Sequence, residues 1–311
     1  MTAPLSVAPR YPGTGRPRSR RVVQGVLALV LVLLLGGIWL LWDNLRLDVS
    51  AYEVEVADAP DGEVLRLAHV SDLHAADHHG SQDAIVREVD ARGVDLVALT
   101  GDLIDRRTRD LASVLDLAAR LQAIAPTYVV LGNHEADSPL RQELLVGLAE
   151  AGVVILRDEA TQLQVKGRTV TVAGLDDPRV ASADGRTPEE PGAVLDRLDL
   201  ASSASDGTEA AARGPVVLLA HRPELLAQYA GRGADVVLSG HAHGGQVRLP
   251  LLGPLFAPHQ GLFPELTEGT HEGDGTTMVI SRGLGNGIGA VRVNDPRELV
   301  ILDLVQEADA G

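Results

Sequence analysis

The chain has 311 residues, 45% of them hydrophobic, enough for one large core or two small ones. It has no cysteine, which excludes a disulfide framework and thiolate zinc sites of the zinc-finger kind. The net charge is −16, and residues 1–21 hold five arginines and no acid, so the remainder is more acidic still and no nucleic-acid partner is expected.

Residues 1–21 are rich in Pro, Gly and Arg, with too little apolar content to pack, and read as disordered. Val22 to Trp42 then runs 21 residues without a charge. As a helix this is roughly 31 Å long, against about 30 Å for the hydrocarbon core of a bilayer. Trp39 and Trp42, the only tryptophans, sit where interfacial aromatics belong. Arginines before the segment and Asp43 after it predict a single-pass signal anchor over 22–42, the N-terminus cytoplasmic and the body extracytoplasmic. Ser19-Arg20-Arg21-Val22-Val23 also resembles a twin-arginine export signal.

Residues 43–63 read as a short connector and a first strand, Tyr52-Glu53-Val54-Glu55-Val56 alternating as a half-buried strand does. The turn signal Asp61-Gly62 and the apolar run Val64–Val70 then predict a hairpin. From 64 to 306 strand and helix alternate. Apolar runs mark strands at Val64–Val70, Val94–Thr100, Thr127–Leu131, Val153–Leu156, Val216–Ala220 and Val236–Leu238. Helical patterns fill 82–92, 109–122, 138–150 and 223–230, and the alternation predicts an α/β sandwich. Lys166-Gly167 splits Gln162–Val165 from Arg168–Ala173 as a hairpin would. Residues 181–214, rich in Ala, Ser, Gly, Pro and acids, read as a solvated, flexible insertion with a short helix near Val194–Leu200. Strand patterns return after Gln246 and end with Leu299–Leu304.

Five short pieces supply metal-grade side chains, and nearly every one follows an apolar, strand-like run: Asp72 and His74, Asp102 and Asp105, Asn133 with His134 and Glu135, His221, and His241 with His243. Ends of neighbouring strands converge in space although they lie far apart in sequence. Imidazole nitrogens, carboxylates and one amide oxygen suit two divalent cations. The i, i+2 spacing of Asp72 with His74, and of His241 with His243, lets both members of an extended pair face one ion. A lone Asp at a strand end is ordinarily a cap, and a lone His a satisfied polar group. Five such pieces, each after a strand, point instead to a binuclear hydrolase.

In this order, D-x-H, G-D-x-x-D, G-N-H-E, H and G-H-x-H resemble the calcineurin-like metallophosphoesterase superfamily across roughly Val64 to Leu304. His221-Arg222-Pro223-Glu224, Ser239 to Gln246, and Ser281-Arg282-Gly283-Leu284-Gly285 are similar to its membrane-associated bacterial branch. The resemblance implies a four-layer sandwich, two mixed β-sheets flanked by helices, with two divalent ions (Mn, Fe or Zn) between the sheets. Asp72, His74, Asp102 and His243 would hold the first ion; bridging Asp102 with Asn133, His221 and His241 would hold the second. A hydroxide bridging the ions would attack the phosphoester. His134 would protonate the leaving group, and Asp105 would orient His134. Glu135 stands where aspartate is more common, a change expected to matter little.

The reading is a phosphodiesterase more than a monoesterase, and a site held near the membrane surface suggests envelope or lipid-linked phosphoesters by geometry, with no specificity motif behind it. The alternatives are a pyrophosphatase acting on a nucleotide-diphospho-lipid at the cytoplasmic face and a non-catalytic, metal-bound sensor or scaffold. Gln246, Arg248 and Arg282 are candidate substrate contacts, since arginine pairs with phosphate in bidentate fashion. His78 and His79 are a further candidate pair beside the substrate, while His259 and His271 have no evident partner in the sequence. Leu249–Leu266 contains Leu251, Leu252, Leu255, Leu262 and both phenylalanines, Phe256 and Phe263. It reads either as a loop folded back on the core or as an apolar lip beside the metals.

Overall fold

The computed structural model describes residues 18–57, 63–75, 81–200, 213–287 and 291–307. The chain forms two units, dividing between Trp42 and Asp43. The first is dominated by helix α1 (Arg18–Leu45). Its Arg20–Leu45 stretch, 26 residues with a mean hydropathy of 2.6, is long and apolar enough to cross a membrane.

The second unit is built on two six-stranded mixed sheets, with strands numbered in chain order. The first sheet comprises β1 (Leu47–Val56), β2 (Leu65–Val70), β3 (Leu96–Thr100), β4 (Thr127–Val130), β5 (Val154–Ile155) and β16 (Arg297–Gln306), ordered β1-β16-β2-β3-β4-β5. The second comprises β6 (Glu159–Val165), β7 (Arg168–Gly174), β8 (Arg213–Leu219), β9 (Val236–Ser239), β14 (Gly269–Gly273) and β15 (Thr276–Ile280), ordered β14-β15-β9-β8-β7-β6.

Alternation along the strands divides the core into three apolar interfaces, and hence four layers. On β3, Leu96 and Ala98 face the second sheet while Val97 and Leu99 face helices. On β8, Val217 and Leu219 face the first sheet while Val216 and Leu218 face outward. The outer layer on the first sheet is α2 (Ser81–Arg92), α3 (Ala112–Ile124) and α5 (Arg141–Glu150). Helix α3 buries Val114, Leu117, Ala118 and Leu121, the i, i+3, i+4, i+7 stripe of a helix with one apolar face. On the second sheet lie α7 (Pro191–Leu198), which follows α6 (Pro178–Ala183), and the one-turn helix Leu226–Tyr229. Each fully buried leucine or valine removes apolar area worth about 1.5–3 kcal/mol.

Two expectations are corrected. The hairpin between β1 and β2 does not form: β16 lies between them, parallel to β1 over ten residue pairs and antiparallel to β2. Long-range pairing with a ten-residue strand outweighs the local turn signal, whose Asp61 and Gly62 lie outside the described residues. The presumed insertion is also partly structural, since Val194, Leu195 and Leu200 are buried against the second sheet. Residues 201–212 of it, like His78 and His79, lie outside the described residues.

Candidate metal centre

Strands β2, β3 and β4 run parallel and in step, so their carboxyl ends release three loops at one edge. Strands β8 and β9 do the same in the second sheet. The five sequence pieces leave from these ends, where α/β sheets form their sites. The backbone zips the first two loops together: Asp72 N donates to Gly101 O (3.0 Å), His74 N to Asp102 O (2.9 Å) and Ala75 N to Leu103 O (2.7 Å).

Contrary to the extended backbone that their spacing predicts, the D-x-H and G-H-x-H segments are not extended. Asp72 (φ 53°), His74 (49°), Asp102 (53°), His241 (67°) and His243 (49°) all occupy the left-handed region. Such backbone is costly for non-glycine residues and clusters at functional sites. Two glycines allow the close approach. A methyl group on Gly240 would overlap Ser71 Oγ and Asp72 Oδ2, and one on Gly132 would overlap Asp102 Oδ1.

Each buried aspartate is fixed by one oxygen and bare on the other. Asp72 Oδ2 accepts from Ser71 Oγ (2.6 Å) and His241 N (2.9 Å), while its Oδ1 has no hydrogen-bond partner. Asp102 Oδ1 accepts from His134 N (2.8 Å), while its Oδ2 makes no hydrogen bond. That Oδ2 faces three imidazoles, 3.2 Å from His221 Nε2, 3.9 Å from His134 Nε2 and 4.0 Å from His74 Nε2. Burying a carboxylate oxygen without a donor is expensive unless a cation completes it.

The donors form two sets sharing Asp102: Asp72, His74, Asp102 and His243, and Asp102, His221 and His241, each with ligand atoms within 4.8 Å of one another. Asn133, the first residue of α4 (Asn133–Asp137), places Oδ1 3.2 Å from His221 Nε2 beside the second set. His221 Nδ1 lies 2.7 Å from Thr100 O, and a carbonyl only accepts. Nδ1 therefore donates to Thr100 O, and Nε2 is the nitrogen aimed at the second donor set, where a bound cation would displace its proton. Burial holds the His241 and His243 rings well below their ordinary range, keeping them neutral. Burial opposes charging His221, but Asp102 outweighs it and raises that ring to about 10, while Asp102 is held well below the carboxylate range. With its N/O donor set and two bare carboxylate oxygens, the site fits two divalent cations.

His134 stands at the mouth, its side chain 37% exposed, and meets the His74 ring edge-on at 4.8 Å. Asp105 does not reach it among the described hydrogen bonds. Its Oδ1 accepts from Arg107 N (2.7 Å) and Thr108 N (2.9 Å), capping the turn, so an orienting role for Asp105 is not seen. The three expected phosphate contacts are also engaged elsewhere. Arg282 pairs with Asp48 (2.8 Å) and Glu298 (3.1 Å), Arg248 pairs with Glu268 and donates to Gly244 O, and Gln246 Nε2 donates to Val291 O. In each case a nearby acid or carbonyl within the fold engages the side chain.

Three residues gain importance the sequence did not signal. Glu135 is fully buried and accepts from Gly132 N (2.8 Å), Asp102 N (2.9 Å) and Ile104 N (3.0 Å), joining the loops after β3 and β4. Burial, then Asp102, pushes its pKa up to about 7. Arg292, also fully buried, donates to the carbonyls of Arg282 and Gly285. It thereby braces the Ser281–Gly285 motif, whose Leu284 N and Gly285 N donate to Ser71 O and Asp72 O. His259 stacks on His241, its Nδ1 3.1 Å from His241 Nε2; no spacing rule links residues joined only through this fold.

Fold and donor set together define a metal-dependent phosphoesterase of the two-sheet kind. A family model for calcineurin-like phosphoesterases matches residues 65–245, and the chain belongs to that family. An uncharacterized metallophosphoesterase of Aquifex aeolicus is 27% identical over 263 residues, covering 83% of this chain and 92% of that protein. Phosphodiesterase YaeI of Escherichia coli is 27% identical over 226 residues, covering 72% of this chain and 74% of its own. A zebrafish transmembrane protein with a metallophosphoesterase domain is 29% identical over 235 residues, covering 72% of this chain and 51% of that protein.

Proposed function

We propose that this protein is a two-metal phosphodiesterase held at a membrane by α1, with its catalytic unit on the face opposite the arginine-rich N-terminus. The observation that carries the reading is Asp102 Oδ2, bare, buried and shared between two donor sets. The membrane assignment is supported by the 26-residue apolar stretch Arg20–Leu45, and diester preference by the likeness to YaeI. Ions held by Asp72, His74, Asp102 and His243, and by Asp102, Asn133, His221 and His241, would supply charge neutralisation at the phosphoryl oxygens and a water of lowered pKa.

The chain's own groups do the rest. Ser71 and the His241 amide fix the Asp72 carboxylate, and the His134 amide fixes that of Asp102. Thr100 O sets the His221 tautomer. The partly exposed His134 ring delivers a proton to the departing alkoxide as water forms the new P–O bond and the ester P–O bond breaks.

The test is hydrolysis of bis-p-nitrophenyl phosphate by the full chain supplied with Mn, Fe or Zn. Asp102→Asn removes the shared charge and is expected to abolish turnover; His134→Ala is expected to lower kcat by about 10²–10⁴-fold. Wild-type protein that binds metal yet hydrolyses no phosphoester would leave the metal-bound sensor as the surviving reading. A phosphatase reporter fused after Gly311 is expected to be active; an inactive one would place the catalytic unit on the cytoplasmic side.

A further inference from the structure

Beside the candidate centre lies a cavity of about 230 Å³, with His243 in its wall. Apart from Gln246 the rest of the lining is apolar, chiefly Val247, Leu255, Phe256, Pro258 and Val291. Small, well-formed apolar pockets next to a few convergent polar groups are where ligands bind.

The surroundings of the pocket match its lining. Among the described residues past Leu45, the exposed large apolar side chains are Leu251, Leu252, Phe256, Leu262, Phe263 and Val291, with only Val146 and Val154 elsewhere. They are not loop residues folded back on the core. All but Val291 are presented by two short hairpins and the residue that follows them, β10 (Arg248–Leu249) with β11 (Gly253–Pro254), and β12 (Phe256–Ala257) with β13 (Gly261–Leu262). Phe263 N donates to Leu255 O (3.0 Å) and Leu255 N to Val247 O (2.8 Å), fixing one hairpin on the other. Leu251 (φ 68°) and Phe263 (φ 53°) hold left-handed backbone while pointing their side chains at solvent, Leu251 being fully exposed. A fold spends strain on exposed apolar groups where they have a use.

Next in the chain to Val291, Arg292 is bracketed by Asn44, whose Nδ2 donates to Arg292 O and whose Oδ1 accepts from Arg292 N, both at 2.7 Å. The rim at Val291 is thus tied to the first residues of the catalytic unit. The chain also carries a helix of membrane length, and the apolar solute that a membrane-held enzyme meets at highest concentration is lipid.

We infer that the pocket receives the alkyl chain of a lipid phosphodiester, seating one ester arm beside His243 while the phosphate lies at the metals. The inference rests on the phosphodiesterase reading and names the substrate class. The apolar hairpins form the lip across which the chain passes.

The test uses the full chain in lipid nanodiscs and methyl, butyl and octyl p-nitrophenyl phosphodiesters, scored by the ratio of kcat/KM for octyl over methyl. Each methylene that leaves water is worth about fourfold, so four entering the pocket give on the order of 10²-fold. Val291→Trp fills the pocket and Phe256→Ser wets it, and both are expected to collapse the ratio towards that of chain partitioning into the disc alone. Partitioning is common to wild type and variants and cancels in the comparison. Metal content measured on each variant confirms an intact centre. Equal ratios in wild type and Val291→Trp, with methyl ester still hydrolysed, overturn the chain pocket and leave the phosphodiesterase standing. Hydrolysis of none of the three esters by metal-loaded wild type overturns both.

Discussion

At the scale of single residues, the centre depends on carboxylates held on one side only. Asp102 keeps Oδ2 bare because its other oxygen and its own N–H are both engaged, the N–H by Glu135. Glu135 is therefore a clamp, and its identity matters more than its place in a family pattern implies. Glu135→Gln puts an amide NH₂ against N–H donors that need an acceptor. Leaving such groups unsatisfied costs about 1–3 kcal/mol each. The expected outcome is a lower urea midpoint, together with weaker metal binding by titration calorimetry, because the Asp102 loop loses its tie to Gly132. Unchanged metal affinity would show that the clamp serves stability alone.

At the scale of the elements, the apolar runs were legible: β2, β3, β4, β8 and β9 begin and end within three residues of the runs that mark them, because strands buried on both faces read as continuous Val and Leu. The donor residues were legible for the same reason, since each follows such a run. What the sequence could not show was the left-handed backbone at Asp72 and His241, which tertiary contacts impose, or Arg292 bracing a motif through carbonyls that carry no sequence signal. His69 illustrates the gap. It sits inside β2, fully buried, its Nε2 2.7 Å from Thr100 Oγ1 on β3, and burial lowers its pKa from 6.5 to about 3. The folded state thus binds this proton less readily than the unfolded chain. The stability it contributes is complete above pH 6.5 and is lost as pH falls towards 3, at about 1.4 kcal/mol per pH unit. His69→Gln keeps a hydrogen-bonding group without the titration. Its urea midpoint is expected to fall less between pH 7 and pH 5 than that of wild type; parallel decline in both proteins would refute the assignment.

At the scale of the whole catalytic unit, the candidate ligands come from both sheets: Asp72, His74, Asp102 and Asn133 from the first, His221, His241 and His243 from the second. The apolar interface between the sheets is continuous, with Leu67, Leu96, Val130, Val217 and Leu238 all fully buried. At the carboxyl edge the case differs, for there two bare carboxylate oxygens and five closely spaced imidazoles face one another. Bound cations would neutralise that edge and fasten loop to loop. Chelation is accordingly expected to lower Tm without unfolding the protein, since ligand at about 1,000 times Kd stabilises by only about 4 kcal/mol. Hydrogen exchange should speed up at 71–75, 101–105 and 239–246, while the amides of β3 and β8 stay protected. Exchange that accelerates equally in β3 and β8 would mean that the metals hold the two sheets together. A profile unchanged by chelator, in protein shown to have lost its metal, would mean that the loops are fixed by their hydrogen bonds alone and that the left-handed backbone at Asp72, His74, Asp102, His241 and His243 is stable without the ions it serves.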